Sequence, residues 1–208
     1  MEALAWIDIE TTGLDPNADY LLEIGIQFTD MKLNDLGGIQ AFGTLSGDSF
    51  EGIMSYLERQ PIPFKMHTDN GLISALKEAN DQGELYINDS YLDDELSRFI
   101  EGRMKTHGID KIYPAGSSVH FDMSFIRELF PDTYQMFSHR HLDITSLKLA
   151  MTVASGSYPH DEDPAHRVYD DIMQSMNWFR NYIWPAEEVS TQASHLAKVM
   201  DSYVGDTE

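Results

Sequence analysis

The sequence predicts an α/β fold, a mixed five-stranded sheet flanked by helices. Three observations lead there. Short apolar runs rich in strand formers open the chain at residues 3–9, 21–29 and 39–45, and Asp35-Leu36-Gly37-Gly38 is a turn signal before the last, so these three read as an antiparallel meander. Helical and strand-like segments then alternate, which places the later strands parallel between helices. With 208 residues and 42% hydrophobic composition, the chain has the length for one domain with a sizeable core.

The first strand, residues 3–9, runs into the polar Thr11-Thr12-Gly13. Residues 46–66 lack a clear period and carry Gly52, Pro61 and Pro63, which predicts a loop with one helical turn. Residues 70–79 and 90–107 show helical spacing. In the second of these, Leu92, Leu96, Phe99, Ile100 and Met104 form one apolar stripe, and Gly108 stops the helix. A strand at 111–115, a helix at 123–130 ended by Pro131, a strand at 141–144 and a helix at 146–153 follow. Residues 155–164 are a polar loop. The last long helix, 165–183, carries the stripe Val168, Ile172, Met176, Phe179 and Ile183. Residues 1–185 thus read as one domain, and 186–208 as a tail, helical through Val189, Leu196 and Val199 or disordered.

Charge and composition exclude several classes. No window approaches the 18 or so apolar residues of a membrane span. The N-terminus lacks a basic region followed by an apolar stretch, so no signal peptide is expected. The absence of cysteine excludes disulfides and thiolate sites, and it suits a cytoplasmic protein. Thirty-five acids against 14 bases give a net charge of −21, which disfavours long nucleic acids and long duplexes. A short substrate, with few phosphates to neutralise, is compatible with that charge.

Against this background the placement of certain acids points to chemistry. Asp8 and Glu10 are two apart on a strand and share a face, where their charges repel unless a cation lies between them. Asp122 follows a strand and the small-residue loop Ala115-Gly116-Ser117-Ser118, just before a helix, where a helix cap is the simpler role. His166 falls in the first turn of the last helix. At 100° per residue, Asp170 lies about 160° from the centre of the core stripe and Asp171 about 100°, so Asp170 points to solvent and Asp171 to a flanking cleft. Four carboxylates and a histidine suit phosphodiester hydrolysis with two divalent ions. Hard oxygen ligands favour Mg²⁺ or Mn²⁺, and histidine can take a proton from water.

Several segments, taken in order, resemble the DEDD exonucleases of the histidine-containing branch (DEDDh), and more narrowly the oligoribonuclease family. They are Trp6-Ile7-Asp8-Ile9-Glu10-Thr11-Thr12-Gly13-Leu14-Asp15, Leu22-Glu23-Ile24, His67 with Gly71-Leu72, Gly116 to Phe125, Arg140-His141-Leu142-Asp143-Ile144-Thr145, and residues 166–180. The resemblance implies a ribonuclease H-like fold and a 3′→5′ exoribonuclease that degrades short single-stranded RNA, dinucleotides included, to 5′-mononucleotides. It implies a homodimer and two metal ions. Asp8, Glu10, Asp122 and Asp171 are the implied ligands and His166 the implied general base. Leu14 would wedge against the bases, His67 would lie near the substrate, and Ser118, Arg140 and Thr145 would cap a 5′-phosphate. Four positions depart from the family pattern. Ile62 stands for a tryptophan, His139 for the tyrosine contributed across the dimer, Thr145 for a serine, and Val168 for an alanine. A broader exonuclease on single-stranded DNA or RNA, a non-catalytic binding relative, and an acidic metal-binding protein remain as alternatives.

Overall fold

The computed structural model describes residues 1–43, 49–158 and 165–183. The expected strand end at 45, most of the loop at 155–164 and the tail at 186–208 lie outside the described residues. Strand β1 (Glu2–Thr11) pairs antiparallel with β2 (Leu21–Asp30), and β2 pairs antiparallel with β3 (Asp35–Phe42). Two helices, α1 (Phe50–Leu57) and α2 (Pro61–Asp69), occupy the stretch expected to be a loop. Helices α3 (Leu72–Gln82) and α4 (Asp89–His107) follow. Strand β4 (Lys111–Gly116), helices α5 (His120–Leu129) and α6 (Pro131–Gln135), strand β5 (Leu142–Asp143), and helices α7 (Ile144–Ser155) and α8 (Val168–Tyr182) complete the described chain. The sheet order is β3-β2-β1-β4-β5, with β1, β4 and β5 mutually parallel. This is the mixed five-stranded α/β sheet that the sequence predicts.

Four local expectations are corrected. The first turn after β2 is at 31–34, because the Asp30 carboxylate accepts the N–H groups of Lys32 and Asn34 at 2.8 and 2.9 Å, and Asp35 to Gly38 are strand. Helix α1 forms because Ser49 caps Gly52 N–H at 3.2 Å, and α2 starts on Pro61, whose fixed φ suits the first helical turn. Gly52 and the prolines read as breakers in sequence, yet they sit where a helix tolerates them. Helix α6 was unforeseen. Its N–H groups at Asp132 and Thr133 are taken by the buried Asp93 carboxylate at 3.0 and 2.8 Å, a cap supplied from α4. Helix α8 begins at Val168, so His166 precedes it.

The main core lies between one face of β1 and β2 and helices α4 and α5. Ala3, Ala5, Ile7 and Ile9 meet Leu92, Leu96, Ile100, Phe125 and Ile126 there. Fully burying each large apolar side chain contributes about 1.5–3 kcal/mol. A second cluster joins Leu22 of β2 to Ile53, Leu57, Leu72 and Leu76 of α1 and α3. The chain divides into two compact units, Met1–Ser175 and Met176–Glu208. Within the second, the rings of Trp178 and Tyr182 stack at 5.2 Å. Among the described residues no helix is long and apolar enough to cross a membrane.

Candidate active site

Alternation along β1 sends Leu4, Trp6, Asp8 and Glu10 to the face opposite the main core. In the β1–β2 register, Asp8 lies opposite Gly25 and Glu10 opposite Glu23. A Cβ on Gly25 would stand 2.9 Å from Val168 Cγ2 and 3.0 Å from Ile172 Cδ1, so the glycine lets the start of α8 lie directly on β2. That approach carries Asp171 to the strand pair. At the end of β4, Gly116 has φ +156°, and a Cβ there would stand 2.6 Å from the Ile7 carbonyl. The chain turns there into α5, which carries Asp122.

Asp122 does not cap α5. It sits inside the first turn, buried, and its carboxylate accepts Ile9 N–H at 3.0 Å, tying α5 to β1 between Asp8 and Glu10. Asp170 is exposed and Asp171 half-buried, as the helical angles predict. His166 departs from its expected place in the helix. Its φ is +54°, a left-handed conformation that costs roughly 1 kcal/mol for a residue with a Cβ. Three anchors hold it. The Asp171 carboxylate accepts the N–H groups of Ala165 and His166 at 2.9 and 3.0 Å, Asn70 Nδ2 donates to the His166 carbonyl, and Arg167 is pinned by Glu23. One ligand atom each of Glu10, His166 and Asp171 lies within 4.8 Å of the others.

The electrostatics are those of crowded, poorly solvated carboxylates. Burial, then Asp122, Glu10 and Asp171, push the Asp8 carboxyl well above its usual range. Burial, then the charges of Asp171, Glu23 and Asp122, push Glu10 up to about 8, with Arg167 opposing. Burial also raises Asp122 and Asp171. Arg167 donates to both oxygens of the fully buried Glu23 at 2.9 and 3.0 Å, and Gln40 donates to the same carboxylate at 2.6 Å. Glu23 and Arg167 were given no role from sequence. Their signal was a charge in the middle of the apolar run Leu21-Leu22-Glu23-Ile24, which a buried strand does not carry without a partner.

Around this centre the other candidates take distinct places. Leu14 is 81% exposed at the tip of a turn that Asp19 holds by accepting Asp15 N–H at 3.0 Å and the Thr12 hydroxyl at 3.2 Å. Tyr56 of α1 donates to the same carboxylate at 3.1 Å. His67 is fully buried beside Glu10. Its Nε2 is 2.9 Å from the Thr11 carbonyl and its Nδ1 3.8 Å from Glu10. Burial lowers its pKa. Ile62 is 81% exposed on the first turn of α2.

A second group forms where β5 meets α7. Asp143 caps α7, accepting Thr145 N–H at 3.0 Å, and it also accepts Ser118 N–H at 3.1 Å. Ser118 adopts φ +53°, and its hydroxyl lies 3.0 Å from that of Thr145. Ser118 and Thr145, 27 residues apart, are therefore in direct contact. His139 and Arg140 are exposed just ahead of them in the chain.

Known proteins match both levels of this description. No family model matches the chain. The oligoribonuclease of Haemophilus ducreyi is 32% identical, with 86% of this chain and 91% of that protein covered. Those of Hydrogenovibrio crunogenus and Tropheryma whipplei are 30% and 28% identical, covering 86% and 83% of this chain and 91% and 87% of theirs. Among solved structures, E. coli exonuclease I in complex with a dT13 oligonucleotide shares the fold with a TM-score of 0.59 at 14% identity, over 96% of this chain. Exonuclease I of Methylocaldum szegediense gives 0.50 at 18% identity over 88% of it. The chain spans only 43% and 41% of those two exonuclease I chains. Sequence likeness along most of its length and the shared sheet together place this chain in the oligoribonuclease family of 3′→5′ exonucleases.

Proposed function

We propose that this chain hydrolyses short single-stranded oligoribonucleotides, down to dinucleotides, from the 3′ end to 5′-mononucleotides. The observation that carries the reading is the carboxylate set Asp8, Glu10, Asp122 and Asp171. These groups converge from three separate parts of the chain; burial holds all four carboxyls above the usual range, and repulsion from the others of the set adds to it at Asp8 and Glu10. A set so poor in counter-charge fits divalent cations, and its hard oxygens fit Mg²⁺ or Mn²⁺, two ions in this reading. When bound, such ions lower the pKa of water and offset the charge that develops on the phosphorane and the leaving 3′-oxygen.

The chain's own groups supply the rest. Asp8, Glu10, Asp122 and Asp171 hold the ions. His166 takes a proton from the attacking water through a ring nitrogen. Glu23 and Arg167 keep the His166 segment against the strands. Leu14 presses on the bases. Ser118, Thr145 and Arg140 hold a 5′-phosphate by hydroxyl and guanidinium donors, with His139 beside them. Closure of that end limits substrate length, and the net charge of −21 acts in the same direction by repelling long polyanions. In this reading residues 1–185 carry the activity, 186–208 are a tail, and the chain works in the cytoplasm as a homodimer with His139 facing the partner copy.

The test is a length series of RNA and DNA oligomers, from two to about twenty nucleotides, with Mn²⁺ or Mg²⁺ and with EDTA. A sharp preference for RNA dimers, abolished by EDTA, supports the proposal. Length-independent trimming of RNA or DNA would replace it with a broader exonuclease.

A further inference from the structure

We propose that Tyr56 is a positioning residue for the substrate: its hydroxyl, acting through Asp19, holds the turn that carries Leu14. The inference rests on the proposed contact of Leu14 with the bases and deepens it.

Leu14 is exposed, so packing does not fix where it stands. Its place is set by the turn between β1 and β2, and that turn is built around one carboxylate. Asp19 Oδ2 accepts Asp15 N–H at 3.0 Å, while Oδ1 accepts the Thr12 hydroxyl at 3.2 Å and the Tyr56 hydroxyl at 3.1 Å. The Thr12 hydroxyl oxygen in turn accepts Tyr20 N–H at 2.9 Å. A Cβ on Gly13 would stand 2.4 Å from both Asp19 carboxylate oxygens, so the missing side chain leaves room for the carboxylate next to Leu14. Two of the three donors to Asp19 belong to the turn itself. The third comes from α1, 37 residues away.

Helix α1 is a firm base for that contact. Ile53 and Leu57 are fully buried in the cluster with Leu22, Leu72 and Leu76. Tyr56 follows Ile53 by three positions, so it leaves the helix beside that buried face. Its ring meets the Tyr20 ring edge-on, with centroids 5.0 Å apart, and the Arg59 guanidinium lies 5.7 Å from the Tyr56 centroid. Burial, then the bond to Asp19 and its charge, raise the Tyr56 phenol above its usual range. The hydroxyl therefore keeps its proton and donates.

The consequence is preorganisation. A loose turn must be ordered each time a substrate enters, and that cost falls on binding. A turn already tied to α1 has met the cost on folding. Tyr56 contacts the turn and its own helix rather than the carboxylate set, so its effect belongs to substrate binding and not to the chemical step.

The test compares the full chain with its Tyr56→Phe variant, which keeps the ring and removes only the hydroxyl. With Mn²⁺ and an RNA dinucleotide, KM should rise about fivefold with kcat nearly unchanged, the size expected when a hydrogen bond to a charged group is lost. In a Leu14→Ala background the same change should leave KM where Leu14→Ala alone puts it, because the brace then has no wedge to hold. Amide hydrogen exchange over residues 12–20 should quicken at least about threefold in Tyr56→Phe, with α1 unchanged. A fall in kcat at constant KM, a KM rise that persists in the Leu14→Ala background, or unchanged exchange over the turn overturns the inference and leaves the proposed function standing. Trimming of longer RNA or DNA without cleavage of dinucleotides removes the short-substrate reading, and the same cycle on the longer substrate then decides the inference. No hydrolysis of any substrate removes the proposed function, and the exchange measurement decides whether Tyr56 holds the turn.

Discussion

Asp8 illustrates the tension a single residue carries. It is raised by burial and by four neighbouring acids, so it opposes folding while serving the proposed chemistry. Asp8→Asn should therefore lower kcat about a thousandfold, through loss of an ion ligand, while raising the melting temperature in EDTA. Turnover and thermal melts on the same preparation check this, and a destabilised variant would contradict the repulsion argument. Arg140 makes the opposite case, an exposed residue whose worth is all in binding. Arg140→Ala should weaken cleavage of 5′-phosphorylated dinucleotides at least tenfold more than that of unphosphorylated ones. An equal loss on both would remove it from the phosphate cap. The residue types at Asp8, Glu10, Asp122 and Asp171 were legible in sequence. The role of Glu23 was not, because a charge inside its apolar run does not say which distant residue pairs with it.

Elements decide how these residues are held. The segment before α8 departs from helix because its N–H groups at Ala165 and His166 find the Asp171 carboxylate, and its carbonyl at His166 finds Asn70. Helical periodicity reads Asp171 correctly but has no means of delaying the helix start to Val168, since those partners are side chains rather than local signals. Glu23→Gln should cost about 2–3 kcal/mol, at the lower end for a buried pair because the Arg167 side chain is 25% exposed. It should reduce kcat more than it raises KM, since it loosens the His166 segment rather than the substrate cap. A change confined to KM would argue against that role. Helix α7 offers a matching test at the other site. Asp143→Ala removes its cap, at about 1 kcal/mol, and frees Ser118, so it should raise KM for 5′-phosphorylated dinucleotides with little change in kcat.

At the scale of the whole molecule, crowded acids couple folding to pH and to cations. Glu10 titrates at about 8 in the fold against an ordinary value of 4.5. The folded state therefore holds the proton more tightly than the unfolded chain. Its stabilising effect is full below 4.5 and is lost as pH rises through about 8. In EDTA the melting temperature should fall between about pH 5 and pH 8, and Mn²⁺ added at about pH 8 should restore it by binding only the folded state. A melting temperature that rises across this window, or ignores Mn²⁺, would show that the cluster is not the crowded site described here.

The sequence by itself determined the α/β class, the order of the five strands along the chain, the apolar faces of α4 and α8, and the residue types at the candidate centre. Each is written in local periodicity or in short ordered motifs, which depend on neighbours a few positions away. Only the tertiary structure decided the left-handed turn at His166, the Glu23–Arg167 pair, the burial of His67 beside Glu10, and the meeting of Ser118 with Thr145. Those arrangements depend on hydrogen bonds and close contacts between residues far apart in the chain. No local pattern records such partners, because they become neighbours only when the sheet closes and the helices settle on it.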